Sequence, residues 1–176
     1  MPTPHLLLYG PPAAGKVTVA NAIAERSAMR VIDNHATVDL VLRLFEFGTK
    51  PFQELVDKMR FDLAAVAARE GVAVVSTLVF APTDRPYVKR LAEVVEASGG
   101  VMCRARLVPP ADVLEARVVQ PSRGAFQKVQ DVALLRQILD NHDCYSSIND
   151  DDLTIDNSSL GPSDVAEQIC RHFGIA

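Results

Sequence analysis

The chain alternates short apolar blocks with longer amphipathic blocks, a pattern typical of strands followed by helices. Strands are predicted at about residues 5–9, 29–33, 72–80, 101–108 and 153–155. Apolar residues recur at helical spacing between them: up to about Met29 after the first strand, through Phe45 after the second, and from about Arg85 to Ala97 after the third. The last helix opens at Gly161-Pro162, where proline suits the first helical position. Strands that alternate with helices predict an α/β fold with a parallel sheet, whose ligand site lies at the carboxyl ends of the strands.

The third and fourth predicted strands differ in their apolar content. Residues 72–80 (VAVVSTLVF) are almost continuously apolar, which predicts a central strand covered on both faces. Residues 101–108 instead place Arg104 and Arg106 between apolar neighbours. That alternation predicts a more exposed strand.

The segment between the first strand and the first helix contains the pattern G-x-x-x-x-G-K, the most specific in the chain. Its two glycines permit backbone angles and a close approach that a Cβ would resist, so backbone N–H groups can surround a phosphate. The helix that follows directs the positive end of its dipole at the same anion, and Lys16 adds a charge between the outer phosphates of a nucleoside triphosphate. The residues predicted to bind the nucleotide are Gly10, Ala13, Ala14, Gly15, Lys16, Val17 and Thr18.

One position departs from the usual motif. A serine or threonine normally follows the lysine and reaches Mg²⁺, whereas this chain has Val17 there and Thr18 one residue later. The loop therefore predicts triphosphate binding without the standard metal ligand.

Composition and charge limit the classes of protein that the chain can represent. Its 176 residues favour one domain, and 48% hydrophobic and 23% charged residues are ordinary for a globular protein. The formal net charge of −4 argues against a nucleic-acid partner. We expect no membrane span and no leader, and hence a cytoplasmic protein; the sequence indicates no particular oligomeric state.

The three cysteines, Cys103, Cys144 and Cys170, are odd in number and widely spaced. This spacing predicts reduced thiols rather than a disulfide framework or a metal site.

With its elements in this order, the chain resembles the P-loop kinases, among them adenylate, shikimate, gluconate, adenylylsulfate and polynucleotide 5′-kinases. The resemblance runs from the phosphate loop to the last strand and helix, and the loop is its sharp motif. The Val17-Thr18 pair is similar to the adenylate kinase variant, in which the threonine works at the phosphates and water completes the metal shell. The resemblance implies ATP and Mg²⁺, and a three-layer P-loop NTPase fold with a five-stranded parallel sheet, flanking helices and a short lid, as one domain over residues 1–176.

By the same resemblance, an acidic residue after the second strand binds or deprotonates the acceptor hydroxyl and can serve Mg²⁺ together with Thr18. Asp33 is the candidate here, although aspartate followed by asparagine is also a common cap of a helix. His35 is a candidate base or hydrogen-bond donor to the acceptor, and a lone histidine is as readily structural.

No acidic residue ends the third strand, where the chain reads Ser76-Thr77-Leu78. This is similar to polynucleotide and gluconate kinases, which place small polar residues at that point. Either hydroxyl is a candidate for contact with Mg²⁺ or the acceptor through water, or is simply buried on a strand. Arg85, just beyond, is a candidate acceptor contact or an ordinary surface arginine.

The region at about 117–128 corresponds to the lid of these kinases. Arg117 and Arg123 are its candidate catalytic residues, since a guanidinium can grip two phosphate oxygens and keeps its charge. A closed lid also excludes water, which would otherwise compete as the acceptor.

The acceptor is expected to bind in the helical region at about 35–70, which holds two candidate arginines, Arg43 and Arg60. Four phenylalanines fall there as well: Phe45, Phe47, Phe52 and Phe61. They suit a planar or partly apolar acceptor, and the arginines would suit an anionic one; alternatively, the phenylalanines pack helices onto the core.

The sequence therefore favours an ATP-dependent phosphotransferase that moves the γ-phosphate to a hydroxyl of a small molecule. Two alternatives stay open. One is a kinase of nucleotides or nucleic-acid ends, which the acidic charge disfavours. The other is a nucleotide-binding regulatory protein with degenerate kinase activity, which Val17 and the missing acidic residue favour.

Overall fold

A computed structural model describes residues 2–120 and 129–175 of the chain. Its sheet has five parallel strands in the order β2-β3-β1-β4-β5, so the predicted five-stranded parallel sheet is confirmed. The strands are β1 (Thr3–Gly10), β2 (Arg30–Ile32), β3 (Val74–Val79), β4 (Gly100–Leu107) and β5 (Leu153–Ile155).

Helices cover both faces of this sheet and complete three layers. Those described are α1 (Lys16–Arg26), α2 (Asn34–Val41), α3 (Lys50–Arg69), α4 (Arg85–Ala97), α5 (Ala111–Val118), α6 (Val132–Asn141) and α7 (Pro162–Phe173). α1 packs against α7 on one face, and α3 packs against α4 on the other.

Two predicted helices end earlier than expected. α1 ends at Arg26 rather than near Met29, because Ser27 has extended backbone angles and its hydroxyl donates to the carbonyl oxygen of Ile23. The segment predicted to be helical through Phe45 leaves the α-helix after Val41 and continues as turns.

The central strand β1 supplies the core of both faces by alternation. Leu6 and Leu8 pack into the cluster beneath α1 and α7, whereas Leu7 and Tyr9 pack into the cluster on the opposite face. β1 ends at Gly10, which is paired with Val79 at the end of β3. The carboxyl ends of these two neighbouring strands therefore meet at one edge of the sheet.

β3 and β4 differ in exposure as the sequence predicts. β3 is mostly buried, whereas much of β4 is half-buried. The two β4 arginines bind residues of β5 and its approach: Arg104 Nε donates to Asp152 Oδ1 (2.8 Å), and Arg106 Nε donates to Thr154 Oγ1 (2.7 Å). These contacts join the edge strand β5 to the sheet.

The predicted free thiols are confirmed, since Cys103, Cys144 and Cys170 are all unbridged. Among the helices in residues 2–120 and 129–175, each is too short or too polar to cross a bilayer.

Candidate active site

The loop between β1 and α1 turns three times through left-handed backbone angles. Gly10 has φ +138°, Ala13 has φ +63° and Gly15 has φ +88°. Left-handed turns of this kind direct backbone N–H groups into a concave anion site. At Gly10 the sheet itself requires glycine, because a Cβ there would lie 2.3 Å from the carbonyl oxygen of Leu107.

Ala13 was predicted to bind the nucleotide, but its left-handed backbone conformation was not predicted from the sequence. For a residue with a Cβ, the left-handed conformation costs about 1–2 kcal/mol. Such strain is found where the surrounding structure holds the backbone for a functional purpose. The side chain of alanine carries no signal for this conformation, unlike Gly10 and Gly15.

Lys16 lies at the start of α1 and is buried, with 8% of its surface exposed. Its Nζ donates to the carbonyl oxygens of Gly10 (2.8 Å) and Pro11 (2.7 Å). The ammonium group is therefore folded back over its own loop, next to the N-terminus of α1. A buried cation beside a helix N-terminus, at the end of a loop with left-handed turns, fits a polyphosphate.

Arg117 and Asn157 hold the loop through the carbonyl oxygen of Ala14. Asn157 Nδ2 donates to that oxygen over 2.9 Å, and Arg117 Nη1 approaches it at 3.4 Å. Arg117 Nη2 also donates to the carbonyl oxygen of Asn157 (2.8 Å). The contacts that the structure shows for Arg117 are thus to backbone, and its action on a transferring phosphoryl group stays a prediction.

Asn157 was not among the residues predicted for the site. It lies two residues after β5 and is 4% exposed. Ala14, predicted to bind nucleotide, is fully buried and contributes its carbonyl oxygen to the Asn157 contact.

An open cleft of about 300 Å³, here called the phosphate-loop cleft, runs from the loop toward α2 and α6. Six residues predicted to bind the nucleotide or the acceptor line it: Ala13, Gly15, Lys16, Val17, Thr18 and His35. The remaining residues that line it are Pro12, Asn34, Phe47, Thr77, Val79, Val129 and Ile138. The structure thus places Val17 and Thr18 in one cleft with the lysine and the candidate base.

His35 enters this cleft from the first turn of α2. Its Nδ1 lies 3.5 Å from Asp39 Oδ1, one helical turn further along. The two side chains therefore lie close enough for electrostatic contact, and the role of His35 as a base stays a prediction.

Asp33 acts as the N-cap of α2. Its Oδ1 accepts hydrogen bonds from the backbone N–H groups of His35 (2.8 Å) and Ala36 (3.0 Å). The capping alternative is thus the role seen in the structure. Asp33 adjoins the cleft through Asn34, and its predicted roles at the acceptor and at Mg²⁺ stay predictions.

A smaller inner cavity of about 30 Å³ lies behind the cleft, between the sheet and α3. Asp33 and Arg60 line it, and Asn34 and Thr77 line both spaces. Thr77 Oγ1 accepts from the backbone N–H of Asn34 (3.0 Å). This bond ties the end of β3 to the start of α2 between the two spaces.

Arg60 joins α3 to α2 from within this cavity. Its Nε donates to Thr37 Oγ1 (2.9 Å), and its Nη2 donates to Asn34 Oδ1 (2.6 Å) and to the Asn34 carbonyl oxygen (3.0 Å). Its guanidinium carbon also lies 5.8 Å from the centre of the Tyr87 ring. Several of its donors are therefore engaged within the protein.

His5 and Ser76 form a buried polar pair in the wall of the inner cavity. His5 Nε2 lies 2.8 Å from Ser76 Oγ. Burial lowers the pKa of His5 from 6.5 to about 4, because the charged imidazolium would be deprived of water. His5 is thus neutral at physiological pH.

The other predicted arginines lie away from these spaces. Arg43 is exposed in the turn after α2 and lines neither the cleft nor the inner cavity. Arg85 donates to the carbonyl oxygens of Ser147 (2.8 Å) and Ile148 (2.7 Å), so it anchors the segment before β5. Arg123 and most of the predicted lid fall at 121–128, outside the described residues.

The four phenylalanines divide between core and cleft. Phe52 is buried with Phe45 packed beside it, and Phe61 stacks on Tyr87 with ring centres 5.3 Å apart. Phe47 is 75% exposed and lines the cleft. Core packing therefore explains three of the four, and Phe47 is the phenylalanine that lines the cleft.

In the part of the chain that the structure describes, no three His, Cys, Asp or Glu side chains are grouped to hold a metal ion. A Mg²⁺ ion at this loop would take phosphate oxygens, water and single protein donors such as the Thr18 hydroxyl.

Several solved structures share this arrangement of strands and helices. A sugar kinase from a Janibacter species superposes with a TM-score of 0.71 at 19% identity, covering 99% of this chain and 96% of that one. The tunicamycin resistance protein of Deinococcus radiodurans gives 0.68 at 21% identity, covering 99% and 97%. A shikimate kinase from Acinetobacter baumannii, solved with shikimate, gives 0.60 at 17% identity, covering 97% and 93%.

This chain has the P-loop kinase fold. The predicted fold class is therefore confirmed over nearly the whole chain. No protein-family model and no curated protein matches the sequence itself. At these identities the likeness shows the fold, and activity has to be argued from the site.

Proposed function

We propose that this protein is a kinase that transfers the γ-phosphoryl group of ATP to a hydroxyl of a small molecule. The observation that carries the proposal is the placement of Lys16, Thr18 and His35 along one cleft. That cleft combines a site suited to polyphosphate with a candidate proton acceptor. The P-loop kinase fold supports the same conclusion, and its neighbours include kinases of sugars, gluconate and shikimate.

Binding of the donor is assigned to the phosphate loop. The backbone N–H groups of residues 13–16 and the N-terminus of α1 are assigned to the phosphates, since Pro11 and Pro12 have no N–H to offer, and Lys16 exchanges its bonds to Gly10 and Pro11 for phosphate oxygens. Thr18 is assigned to the phosphates and, directly or through water, to Mg²⁺. When bound, that ion neutralises charge on the β- and γ-phosphates.

Transfer then requires positioning of the acceptor more than covalent chemistry by the protein. The acceptor oxygen forms a bond to the γ-phosphorus while the bond from that phosphorus to the β–γ bridging oxygen breaks, and ADP leaves. We assign the acceptor's proton to His35 because His35 lines the cleft, whereas Asp33 caps α2. Asp33 is the alternative acceptor of that proton.

Lid residues complete the proposal. Arg123 is proposed to close on the transferring group, and Arg117 is proposed to support the loop from behind through the Ala14 carbonyl oxygen. Residues 1–176 are proposed to act as one domain.

ADP release in the presence of Mg-ATP and a panel of hydroxyl compounds tests the proposal. Lys16→Ala is expected to abolish acceptor-dependent release, because the cation at the phosphate loop is lost. Lys89→Ala, which removes an exposed lysine of α4, is the matched control and should behave as the parent. Acceptor-dependent release that survives in Lys16→Ala would refute the assignment.

A second candidate is a regulatory protein that binds ATP without efficient transfer. Val17 at the usual metal-ligand position favours it, and so does the presence of Thr77 rather than an acidic residue in the cleft. Calorimetry with ATP, together with the ADP-release assay, decides between the two. Tight ATP binding with no acceptor-dependent ADP release would support the regulatory protein.

A further inference from the structure

Beyond the phosphate loop, the lining of the phosphate-loop cleft is largely apolar. Phe47, Val79, Val129 and Ile138 form this part of it, here called the apolar wall. These residues come from the loop before α3, the end of β3, the segment before α6, and α6 itself. Phe47 is 75% exposed and Val79 is 37% exposed, so the wall has apolar surface left to bury.

Phe47 is held in position from behind. Its ring centre lies 5.2 Å from that of Phe52, at an interplanar angle of 53°. Phe52 is 2% exposed and packs with Val41 and Val56. An exposed phenylalanine supported by a buried one presents a preformed apolar surface at the cleft.

Charge in this cleft is sparse. Among the described residues that line it, Lys16 and His35 are basic and none is acidic. Lys16 is assigned to the phosphates of ATP. Arg60, predicted to contact the acceptor, lines the inner cavity instead and is bound to Asn34 and Thr37. The described part of the cleft therefore contains no arginine that could bind an acidic acceptor.

From these observations we infer that the acceptor is a neutral molecule whose hydroxyl is carried on an apolar or aromatic body. The inference rests on the proposed kinase function. The body lies against the apolar wall, and the hydroxyl points toward His35 and the phosphate loop. Burial of an aromatic ring is enough to select such an acceptor over a polyol by about tenfold or more.

A matched set of probes tests the inference. 3-Phenylpropane-1,2-diol is neutral and aromatic; 3-phenyllactate has the same skeleton with a carboxylate in place of one CH₂OH group; glycerol lacks the ring. Each is titrated into the full chain saturated with Mg²⁺ and a non-hydrolysable ATP analogue, with affinity measured by ligand-observed NMR. The diol is expected to bind at least about tenfold more tightly than phenyllactate or glycerol.

Two variants connect the result to the apolar wall. Phe47→Ala is expected to weaken binding of the diol about tenfold, whereas Phe47→Leu retains most of it because an apolar side chain remains. Leu44→Ala is the control, since Leu44 is 79% exposed close by in the chain but does not line the cleft.

Preference for phenyllactate, preference for glycerol, or equal binding of all three would overturn the inference while leaving kinase function intact. An equal effect of Leu44→Ala and Phe47→Ala would overturn it as well. Failure of the protein to bind the ATP analogue in the same samples is a separate result, and it would refute the proposed function itself.

Discussion

Asn157 holds the phosphate loop from the far end of the chain: its Nδ2 donates to the carbonyl oxygen of Ala14 over 2.9 Å. The two residues are 143 positions apart, and the contact closes the loop against the segment that follows β5. Ala14 follows Ala13, which holds a left-handed backbone conformation although it is not a glycine. The shape of the loop therefore depends on this bond as well as on its own glycines.

Asn157→Asp is expected to disturb the loop more than Asn157→Ala. The aspartate places a carboxylate oxygen against the Ala14 carbonyl oxygen, whereas alanine only removes a donor. Loss of the bond is expected to cost about 1–3 kcal/mol of stability and to weaken ATP binding about tenfold. Urea denaturation and calorimetry with ATP measure both effects.

Asn141→Ala removes an exposed asparagine at the end of α6 and serves as the control for both Asn157 variants. If the Asn157 variants bound ATP as tightly as that control, the loop would be rigid without Asn157.

Gly10→Ala is expected to be one of the most destabilising alanine substitutions in the loop. The added Cβ would lie 2.3 Å from the carbonyl oxygen of Leu107, a backbone atom in the sheet. Gly71→Ala is the matched control, because Gly71 also has positive φ (+70°) but a Cβ added there would meet nothing within 4 Å.

Thermal and urea unfolding compare these two variants. Gly71→Ala should cost about 1–2 kcal/mol through backbone strain alone, and Gly10→Ala about 3 kcal/mol or more through strain and overlap. If both variants lost the same free energy of unfolding, the result would mean that β4 moves aside to accept the methyl group at residue 10.

The stability of the protein should fall in mild acid because of His5. Its pKa in the folded chain is about 4, against 6.5 for the free side chain, so the unfolded chain binds more protons between these values. Stability from this group is complete above pH 6.5, falls as pH decreases toward 4, and levels off below. At about pH 4.5 the loss amounts to between about 2 and 3 kcal/mol relative to about pH 7.

His5→Gln removes the titration and keeps a polar partner for Ser76, so its stability should depend less on pH over this range. His172→Gln, at an exposed position of α7, is the control. Urea denaturation at about pH 7 and about pH 4.5 provides the comparison. If His5→Gln lost as much stability in acid as the parent, the acid sensitivity would not come from His5.

Arg117→Lys distinguishes support of the loop from action on the transferring phosphoryl group. Lysine keeps the charge but cannot reach the carbonyl oxygens of both Ala14 and Asn157 in the way the planar guanidinium does. We expect lower thermal stability and weaker ATP binding in the absence of any acceptor. An unchanged affinity for ATP with a strongly reduced kcat would instead place Arg117 at the transition state.

Much of the fold follows from local sequence. The apolar run of β1, the two glycines and Lys16 fix a strand, a turn and a helix start within a few residues, and each has its own chemical signature. The alternation of later strands and helices then leaves few arrangements for a parallel sheet. The limits of β5 and α4 are also those that their apolar residues predict.

The site was less predictable because its contacts are distant in sequence. Asn157 has no motif around it, and its partner at Ala14 is a backbone atom that any residue could supply. Asp33 was ambiguous for another reason: the same carboxylate chemistry suits a helix cap and a ligand, and the choice depends on where α2 begins. Phe47 resembles Phe52 in sequence, and packing alone separates the exposed residue from the buried one.

Phosphoryl transfer to a hydroxyl is tested most directly by ³¹P NMR of the protein with Mg-ATP and a panel of neutral hydroxyl compounds. A kinase of the proposed kind should give a new phosphomonoester signal that grows in equal amount with ADP, requires an acceptor, and is absent with Lys16→Ala. Two results would contradict transfer to a hydroxyl. One is the formation of inorganic phosphate and ADP with no phosphomonoester, and the other is that the protein binds ATP but does not consume it.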